Sequence, residues 1–441
     1  MEAKQTASKG SFTELALEIL DLALKLDSQL ASQGRKQTTF EFDTLRGLPV
    51  EINATREEFI NKTQTAKRLA LGAGGILREL VFQFTDEMTL RAIYDFRLAQ
   101  HVPLNEPATF EEIAQASELD SPIVERILRH AMTNHIFSEA PGEPSGRVVH
   151  TAASRLLATN PDALAAVGML VKDFAPISVH VNEAIIHWRD LPASERDEPT
   201  QAATALLHGP GQTYFGLLKK DEARAARFAG GMQYFAEGTE EDVKLLLAGY
   251  PWNILDRQGA ILVDIGGGTG GPARVLAAGT HHLQVVVQDL PGPTTKGAQT
   301  LLPTLASRVV FEAHDFFEPQ PRRDVDAFYL RWILHNWSDK NALRILKALV
   351  PGMKHGTRVI INEYVLKGGP ETRFTRKHHR NLDLLMLAVW NAKERTEAKW
   401  KEIIEAVDSR LRFKGTRKIE GSVLCIIEAV WEEPSTKFVD K

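Results

Sequence analysis

The sequence predicts an α/β protein in two parts: a doubly wound sheet domain in the second half and a mainly helical domain before it. One observation is a glycine-rich turn at residues 263–271, which joins a short apolar run to a helix start. Another is the alternation of apolar runs with helical patterns between residues 261 and 430, which is typical of a parallel sheet with crossover helices. The third is a helix, turn, helix and strand rhythm between residues 109 and 151, the pattern of a winged helix.

Composition places the chain among ordinary globular proteins. It has 441 residues, of which 43% are hydrophobic and 25% charged, and its formal net charge is −4. This balance indicates no polyanion-binding surface, and the single cysteine excludes an internal disulfide. No apolar run approaches the roughly 18 residues of a membrane span, and residues 1–10 carry no signal-type apolar core. We therefore expect a cytoplasmic protein with no membrane segment and no nucleic-acid partner.

A helix is predicted near the start of the chain, at residues 11–33. Ser11 and Glu14 form a capping box, and Gly34 is a stop signal. Apolar residues recur on one face between them, at Leu15, Ile19, Leu22, Leu26 and Leu30. Residues 35–54 are mixed and polar, so we expect an irregular connector, and residues 56–104 are predicted to be largely helical.

The winged-helix pattern follows. Thr109 and Glu112 form a second capping box, and Pro122 occupies a favoured first-turn position of the next helix. After a loop at 141–146, residues 147–151 are predicted to be a short strand. A winged helix suggests DNA binding, but the second helix offers only Arg126 and Arg129 as cations, whereas phosphate-binding faces carry clusters of them. We therefore expect a packing and dimerisation module.

Residues 161–258 are predicted to be mostly helical, with a polar break at 191–200. Aromatic and methionine side chains recur there at helical spacing, which is typical of core packing. Some of them are expected to line a pocket for a flat apolar substrate.

The glycine turn carries the strongest ligand signal. Gly266, Gly268 and Gly271 match the G-x-G-x-x-G spacing, in which backbone N–H groups approach a ligand closely. Asp264 precedes the glycines, and Asp289 ends the next apolar run, where a carboxylate is placed to accept the ribose hydroxyls of an adenosine. The alternative, a glycine-rich turn of an ordinary α/β domain, is less favoured because strand, turn, helix, strand and acid come in the required order.

Polar residues follow the other predicted strands. We expect strands at 261–265, 284–289, 308–312, 325–330, 357–364 and 423–430, with helices at 341–349 and 398–407 among those between them. Asp315 and Phe316 follow the third strand, and an acid beside an aromatic ring suits an adenine. His335 follows the fourth strand, Glu363 ends the fifth, and Glu394 precedes the helix before the last hairpin.

These strand-end residues suit proton removal from a hydroxyl. A phenol has a pKa near 10, about that of tyrosine, and histidine is the natural base near neutral pH. A carboxylate on the other ring nitrogen orients the imidazole and steadies the imidazolium. His335 with Glu363 and Glu394 would supply this base and its orienting groups. A lone histidine near a strand end is more often a buried, hydrogen-bonded side chain without a catalytic role.

Four segments together identify a resemblance. They are residues 262–270 (LVDIGGGTG), 289–291 (DLP), 330–339 (LRWILHNWSD) and 393–396 (KERT). From about residue 60 to 432 the chain resembles the S-adenosylmethionine-dependent O-methyltransferases of the caffeate O-methyltransferase type, especially their fungal secondary-metabolite relatives. The resemblance implies a Rossmann-like methyltransferase domain preceded by a winged-helix dimerisation domain, and a homodimer in which the first domain closes the partner's pocket.

The resemblance also implies site residues. His335 would be the general base, flanked by Glu363 and Glu394. The cofactor-binding residues would lie along the strand ends, with the glycines at the methionine part, Asp289 at the ribose, and Asp315 with Phe316 at the adenine: Asp264, Gly266, Gly267, Gly268, Asp289, Asp315, Phe316 and Arg331. Two departures stand out, because Arg331 replaces the usual plant lysine and Asn336 replaces an aspartate common after the base.

The expected domains follow. Residues 1–55 form an N-terminal helical extension and connector, 56–170 the winged-helix-like dimerisation domain, and 171–258 a helical linker that contributes to the substrate pocket. Residues 259–433 form the S-adenosylmethionine-binding domain, and 434–441 form a tail. The expected activity is methylation of a hydroxyl on a small aromatic or polyketide-type metabolite, with S-adenosylmethionine as cofactor and no metal.

Three alternatives keep parts of this interpretation. The first is the same fold used for a pericyclic reaction or a dehydration without methyl transfer, toward which Arg331 and Asn336 point. The second is a winged-helix regulator that senses the cofactor, which the acidic balance disfavours. The third is a nicotinamide dehydrogenase, which the glycine spacing allows but for which the second half of a full dinucleotide fold is missing.

Overall fold

The computed structural model describes residues 11–45, 47–142, 146–238 and 240–433. These residues form two compact units. The first unit comprises the chain up to Ala175 together with Asp221–Phe235 and Thr372–His378, and the second comprises Pro176–Lys220, Ala236–Glu371 and the residues from His379 onwards. The expected polar N-terminus at 1–10, the expected tail at 434–441 and the centre of the loop at 141–146 lie outside the described residues.

The helices and strands are numbered along the chain. From the start to the middle they are α1 (Phe12–Ser32), α2 (Val50–Asp95), β1 (Ala108–Thr109), α3 (Phe110–Ser117), α4 (Ser121–Thr133), β2 (Ser138–Glu139), β3 (Arg147–Val149), α5 (Ala152–Thr159), α6 (Pro161–Gly168), α7 (Ala175–Ser178), α8 (Val181–Trp188), α9 (Ala193–Arg196), α10 (Ala203–His208), α11 (Tyr214–Leu218), α12 (Glu222–Ala236) and α13 (Leu245–Gly249). The remainder are β4 (Ile261–Ile265), α14 (Gly271–Gly279), β5 (Gln284–Asp289), α15 (Pro291–Gln299), β6 (Val309–Ala313), β7 (Val325–Arg331), α16 (Asp339–Leu349), β8 (Met353–Glu363), β9 (Val365–Leu366), α17 (Lys377–Trp390), β10 (Arg395–Thr396), α18 (Glu397–Glu405), β11 (Leu411–Lys418) and β12 (Cys425–Trp431).

Local signals set the helix ends of the first unit. The side chain of Ser11 accepts from the backbone N–H of Glu14, and the Glu14 carboxylate accepts from the N–H of Ser11, so the predicted capping box starts α1. The described residues between α1 and α2 are irregular, as expected, but α2 begins at Val50, so the expected connector at 35–54 ends earlier than predicted. The long helix α2 is interrupted at Gly72, whose φ of 63° and ψ of 179° are not helical.

The winged-helix rhythm is present in the structure. The second predicted capping box, Thr109 with Glu112, starts α3, and three short antiparallel strands pair in the order β1-β3-β2. Ile113, Val124 and Val148 from α3, α4 and β3 are fully buried in one apolar cluster. Burial of these side chains holds the two helices on the small sheet, since each buried aliphatic side chain contributes about 1.5–3 kcal/mol.

A seven-stranded sheet organises the second unit, in the order β11-β12-β8-β7-β4-β5-β6. Five strands, β8-β7-β4-β5-β6, are mutually parallel, which agrees with the predicted doubly wound pattern. The last two strands depart from the parallel pattern, because β12 runs antiparallel to both β8 and β11. Only residues 419–424 join β11 to β12, which suffices for a hairpin but not for a parallel crossover.

Both faces of this sheet are covered. On one face Ile345 of α16 and Trp400 of α18 are fully buried against strand residues, and on the other face Leu276 of α14 is fully buried. The chain passes from β4 to β5 on one side and returns to β7 on the other side of β4. The carboxyl end of β4 is therefore the point where the strand order reverses, and such a point is the usual ligand site of an open α/β sheet.

Among the described residues, no single helix combines the length and hydrophobicity that a membrane span requires. The segments Pro161–Ser178 and Val181–Trp188 meet that requirement only when taken together across a bend.

Candidate active site

The glycine turn lies at the strand reversal point, directly after β4. The backbone N–H groups of Gly266 and Gly267 donate to the carbonyl of Gln288, at 2.7 and 3.2 Å. The N–H of Gly268 donates to Oδ2 of Asp289 at 2.8 Å. These bonds hold the glycine turn against the end of β5, with one carboxylate oxygen of Asp289 accepting from the turn.

Glycine is required here for two different reasons. A Cβ on Gly267 would lie 2.5 Å from Oδ2 of Asp264, which no side chain tolerates. Gly268 has a φ of +59°, and a Cβ there would meet nothing within 4 Å. The backbone at Gly268 therefore faces open space, as a backbone that approaches a ligand must.

The two acids of the turn are strongly influenced by burial. Asp264 is 1% exposed, and its Oδ2 has no hydrogen-bond partner among the described residues. Burial raises the pKa of Asp264 to about 8, the nearby Asp289 adds to this, and Arg331 opposes it. Burial also raises the pKa of Asp289. The backbone N–H groups of Leu290 and Gly268, which donate hydrogen bonds to its carboxylate, act in the opposite direction. A buried acid with an unsatisfied oxygen and a half-buried acid beside it favour a cationic or donor-bearing ligand.

Arg331, at the end of β7, is held by protein groups. Its Nη1 donates to Oδ1 of Asn362 at 2.6 Å, and its Nη2 donates to the carbonyl of Glu241. The guanidinium carbon lies 4.4 Å from the ring centroid of Trp332, which has a φ of 53°. A backbone in this region is uncommon for an aromatic residue, and such strain often accompanies functional sites.

The predicted adenine residues follow β6. Asp315 is exposed, and its Oδ1 accepts from the backbone N–H of Phe317 at 3.0 Å. Phe316 and Phe317 are half-buried and contact Trp337 edge to face, at centroid distances of 5.9 and 4.7 Å. Sequence reasoning assigned no role to Phe317 and Trp337, although Phe317 directly follows Phe316 and Trp337 lies within the segment 330–339.

One contact joins this aromatic group to the glycine turn. A Cβ on Gly266 would lie 2.5 Å from Cδ1 of Ile333 and 3.6 Å from Cε1 of Phe316. Ile333 stands two residues before His335, so the glycine turn, the aromatic group and the histidine lie on neighbouring strand ends.

His335 lies in a short 3₁₀ turn, Leu334–Asn336, after β7. Its Nδ1 is 2.8 Å from Oε1 of Glu394, and both residues are buried, at 8% and 4% exposure. The ring retains 10% side-chain exposure, and its Nε2 makes no hydrogen bond to any described residue. With Nδ1–H donating to the carboxylate, the lone pair of Nε2 is available to accept a proton.

The electrostatics of the pair favour a basic imidazole. Burial alone would lower the pKa of His335, but the charge of Glu394 and the hydrogen bond to it outweigh burial, and the pKa is raised above its usual value. Glu363 acts in the same direction, and Arg395 acts against it.

Glu363, at the end of β8, acts on the backbone of the turn. Its Oε1 accepts from the N–H groups of Ile333, Leu334 and His335, at 3.0, 2.6 and 3.3 Å. Glu363 is fully buried, and burial raises the pKa of its carboxyl. Glu363 thus caps the backbone of the turn that carries His335, whereas the hydrogen bond to the imidazole comes from Glu394.

A row of aromatic rings lies next to the histidine turn. Phe215 of α11 stacks on Trp337 at 6.2 Å between centroids and lies 5.9 Å from Trp390, the last residue of α17. Trp337 stands two residues after His335, and Trp390 stands four residues before Glu394. Phe215 belongs to the aromatic and methionine residues of the 161–258 segment, some of which were expected to line a pocket, but the sequence did not distinguish it from the core residues among them.

No group of three or more His, Cys, Asp or Glu side chains within the described ranges is arranged to hold a metal ion. The arrangement that the structure does provide is a buried carboxylate–imidazole pair beside a glycine turn with two acids.

Family models match most of the chain beyond α1. The O-methyltransferase domain matches residues 188–408, and the O-methyltransferase dimerisation domain matches residues 78–160. A chlorophenol O-methyltransferase of Trichoderma longibrachiatum is 34% identical over 438 residues, which cover 98% of this chain and 92% of the relative. The chain belongs to the O-methyltransferase family. The O-methyltransferase pyvH of Aspergillus violaceofuscus is 32% identical over 438 residues and covers 96% of this chain and 100% of its own.

Solved structures agree with this O-methyltransferase fold. OxaC in complex with sinefungin and meleagrin superposes with a TM-score of 0.76, at 21% identity over 97% of this chain and 100% of its own. LepI in complex with SAH and a substrate analogue gives a TM-score of 0.74, at 19% identity over 95% of this chain and 100% of its own. A structure titled a pericyclic reaction enzyme gives a TM-score of 0.72, at 18% identity over 95% of this chain and 100% of its own. At these identities the likeness establishes the fold alone. The fungal O-methyltransferase resemblance carried by the four sequence segments is confirmed by the sequence relatives.

Proposed function

We propose that this O-methyltransferase uses S-adenosylmethionine to methylate a phenolic or enolic hydroxyl of a small aromatic or polyketide-type metabolite, with His335 as the general base. The observation that carries the proposal is the buried His335–Glu394 pair at 2.8 Å, beside a glycine turn bordered by two acids.

The residues of the glycine turn suit the cofactor. The unsatisfied Oδ2 of Asp264 and the carboxylate of Asp289 form an acidic end, which fits a ligand that carries a sulfonium and an ammonium. The open space at Gly268 leaves the backbone accessible to such a ligand. Phe316, Phe317 and Trp337 offer ring surface that suits an adenine. When bound, S-adenosylmethionine supplies an electrophilic methyl group.

The residues of the histidine turn suit proton removal. Glu394 accepts the Nδ1–H of His335, so the proton of an acceptor hydroxyl would go to Nε2, and the imidazolium so formed would be stabilised by the carboxylate. Glu363 fixes the turn through three backbone N–H groups, which limits the movement of the imidazole. A base held in this way contributes both proton acceptance and orientation of the nucleophile.

A flat aromatic acceptor is supported by the ring row. Trp337 and Phe215 are half-buried, so part of each ring remains exposed next to the turn that carries His335. Offset stacking of such rings on an aromatic ligand contributes about 0.5–1.5 kcal/mol beyond the buried area. The names of the relatives, which include a chlorophenol O-methyltransferase, point to the same class of acceptor.

A homodimer is part of the proposal. The dimerisation-domain match covers residues 78–160, and within it α2 exposes a series of apolar side chains, Leu80, Val81, Phe82, Phe84 and Met88. An exposed apolar stripe of this size is typical of a protein interface.

Calorimetric titration with S-adenosylmethionine tests the cofactor site. Wild-type protein is expected to bind, and Asp289→Ala is expected to lose binding, because Asp289 holds the glycine turn and is the proposed acceptor for the ribose hydroxyls. Asp408→Ala is the control, since Asp408 pairs with Arg410 at 2.9 Å and takes no part in the turn.

Acceptor methylation is then followed by mass, with 4-chlorophenol as the first phenol. Binding without any mass gain across a panel of phenols and enols would contradict the proposed reaction. Folded wild-type protein that does not bind S-adenosylmethionine would contradict the cofactor as well.

A further inference from the structure

Among the Lys and Arg side chains that the structure describes in the second unit, Arg395 is the buried one. It directly follows Glu394 in β10, and only 1% of the residue is exposed. A guanidinium is rarely buried unless its donors are paired, because desolvation of an unpaired charge costs several kcal/mol. The partners of Arg395 therefore indicate what it does.

All three of its donor groups are directed at one short segment. Nη1 donates to the carbonyl of Leu334 at 2.8 Å, and Nη2 donates to the carbonyl of Trp337 at 2.6 Å. Nε donates to Oδ1 of Asp339 at 2.9 Å. The two carbonyls bracket His335, so the planar fork of the guanidinium spans the residue proposed as the base.

The N–H side of the same turn is held by Glu363, which accepts hydrogen bonds from three backbone N–H groups. This short 3₁₀ turn has two backbone hydrogen bonds of its own, both 3.2 Å long, one of which ends at the Leu334 carbonyl. The turn is thus held at its N–H groups by a buried carboxylate and at its carbonyls by a buried guanidinium. Neither bond set involves the imidazole, so the backbone of His335 is fixed independently of the Glu394 contact.

The charge of Arg395 has a second partner in Asp339. Lys393 and Lys399 also contact that carboxylate, at 3.5 and 3.3 Å, so Asp339 remains charge-balanced when Arg395 is altered. The charged groups that affect the pKa of His335 are Glu394, Glu363 and Arg395.

We propose that Arg395 is a positioning residue for methyl transfer, which fixes the backbone of the His335 turn and thereby aims Nε2 at the acceptor hydroxyl. This inference rests on the proposed role of His335 as the base.

Two substitutions separate the geometry from the charge. Arg395→Met removes both the positive charge and the hydrogen bonds to the two carbonyls, whereas Arg395→Lys keeps the charge and cannot span the two carbonyls. A misplacement of about 1 Å near a reacting group costs about 10²-fold in rate. We therefore expect kcat to fall about 10²-fold in both variants with 4-chlorophenol, with the KM for S-adenosylmethionine unchanged. Millimolar guanidinium, far below denaturing concentrations, is expected to restore part of the lost rate in Arg395→Met only.

Titration of the His335 ring carbon by NMR gives a readout that needs no substrate. Because Arg395 opposes protonation of His335, the pKa of His335 is expected to rise in Arg395→Met and to stay near the wild-type value in Arg395→Lys. The resonance is assigned by its loss in His335→Gln. Arg410→Met is the matched control. The guanidinium of Arg395 lies over the ring of Trp400 at 5.1 Å, and that of Arg410 lies over the ring of Trp431 at 4.3 Å without contacting the turn.

The outcomes are distinguishable. Wild-type protein without methylation activity would contradict the proposed function, and the NMR titration would still decide on Arg395. Active wild-type protein with an unchanged kcat and an unchanged His335 titration in Arg395→Met would overturn the inference. If Arg395→Met does not fold, Arg395→Lys with a wild-type kcat would overturn it as well.

Discussion

The His335–Glu394 pair permits a quantitative prediction through Glu394→Gln. The substitution keeps the size of the side chain and removes its charge. The glutamine amide can also donate to Nδ1, which favours the tautomer that carries its proton on Nε2 and cannot act as a base. We therefore expect a loss of rate with little change in the fold.

The magnitude follows from the geometry. The N–O distance is 2.8 Å, which places the charge centres of an imidazolium and the carboxylate about 4 Å apart. At an effective dielectric constant of about 20 their attraction is about 4 kcal/mol, and a neutral hydrogen bond from glutamine retains about 1 kcal/mol of it. The remaining ~3 kcal/mol corresponds to roughly 10²-fold in kcat. Loss of the correct tautomer adds to this, and the analogous change in a serine protease triad costs about 10⁴-fold. We expect a decrease between about 10² and 10⁴.

The assay compares two acceptors across pH. 4-Chlorophenol is protonated at neutral pH and needs the base, whereas pentachlorophenol is already ionised and does not. The neutral imidazole is the active form, so kcat/KM for 4-chlorophenol rises with pH through the pKa of His335. Since Glu394 raises that pKa, the midpoint of this rise is expected at a lower pH in Glu394→Gln than in the wild type.

The refuting results are specific. An equal loss of rate with both phenols would show that Glu394 does not act through proton removal. A midpoint that moves to higher pH would contradict the electrostatic argument. In the His335→Ala background, Glu394→Gln should cost almost nothing further, because residues that act as a unit are not additive.

Two further predictions concern the ligand sites. Because the pKa of Asp264 is about 8, its carboxyl is mostly protonated at pH 7, and binding of a cationic cofactor should release up to about one proton. Calorimetry in buffers of different ionisation enthalpy measures this proton release. A binding heat that does not depend on the buffer would contradict the prediction. Phe215→Ala should lower kcat/KM for a flat aromatic acceptor about tenfold, the equivalent of roughly 1.5 kcal/mol of ring contact, while the affinity for S-adenosylmethionine is unchanged. Steady-state kinetics with Phe42→Ala as control, at a residue 66% exposed in the first unit, measures the effect, and equal losses in both variants would argue against a stacking role for Phe215.

Much of the fold was readable because its signals are local. A capping box fixes the start of α1, and near-continuous apolar runs identify β4, β5 and β7, each buried on both faces. The strand β11 was missed because its sequence, LRFKGTRK, is charged and lacks an apolar run. The expected last hairpin implied an antiparallel pair, but the antiparallel pairing of β12 with β8 was out of reach, since an apolar run encodes burial and not orientation.

The site was readable only in part. The glycine turn and Asp289 follow one another within a single strand–turn–helix–strand unit, so their meeting could be predicted. Glu394 lies 59 residues from His335, and its contact came from a resemblance to a known family. The role of Glu363 depends on where three consecutive N–H groups point, which no side-chain pattern records. The Arg395 contacts escaped notice for the same reason, because two of its three partners are backbone carbonyls.

The fold by itself does not separate methyl transfer from a rearrangement, and the charges around His335 bear on that choice. A rearrangement gains from a fixed cation or a shaped cavity, whereas methylation of a phenol gains from a proton acceptor. Two carboxylates, Glu363 and Glu394, are buried beside His335, and each charge in such a place costs several kcal/mol in desolvation. Their combined effect on His335 raises its pKa, which makes the imidazole a better proton acceptor. The charge pattern therefore favours proton removal, and the mass of the product decides: a methyl gain supports it, and a product of unchanged mass from a bound acceptor would assign the site to rearrangement.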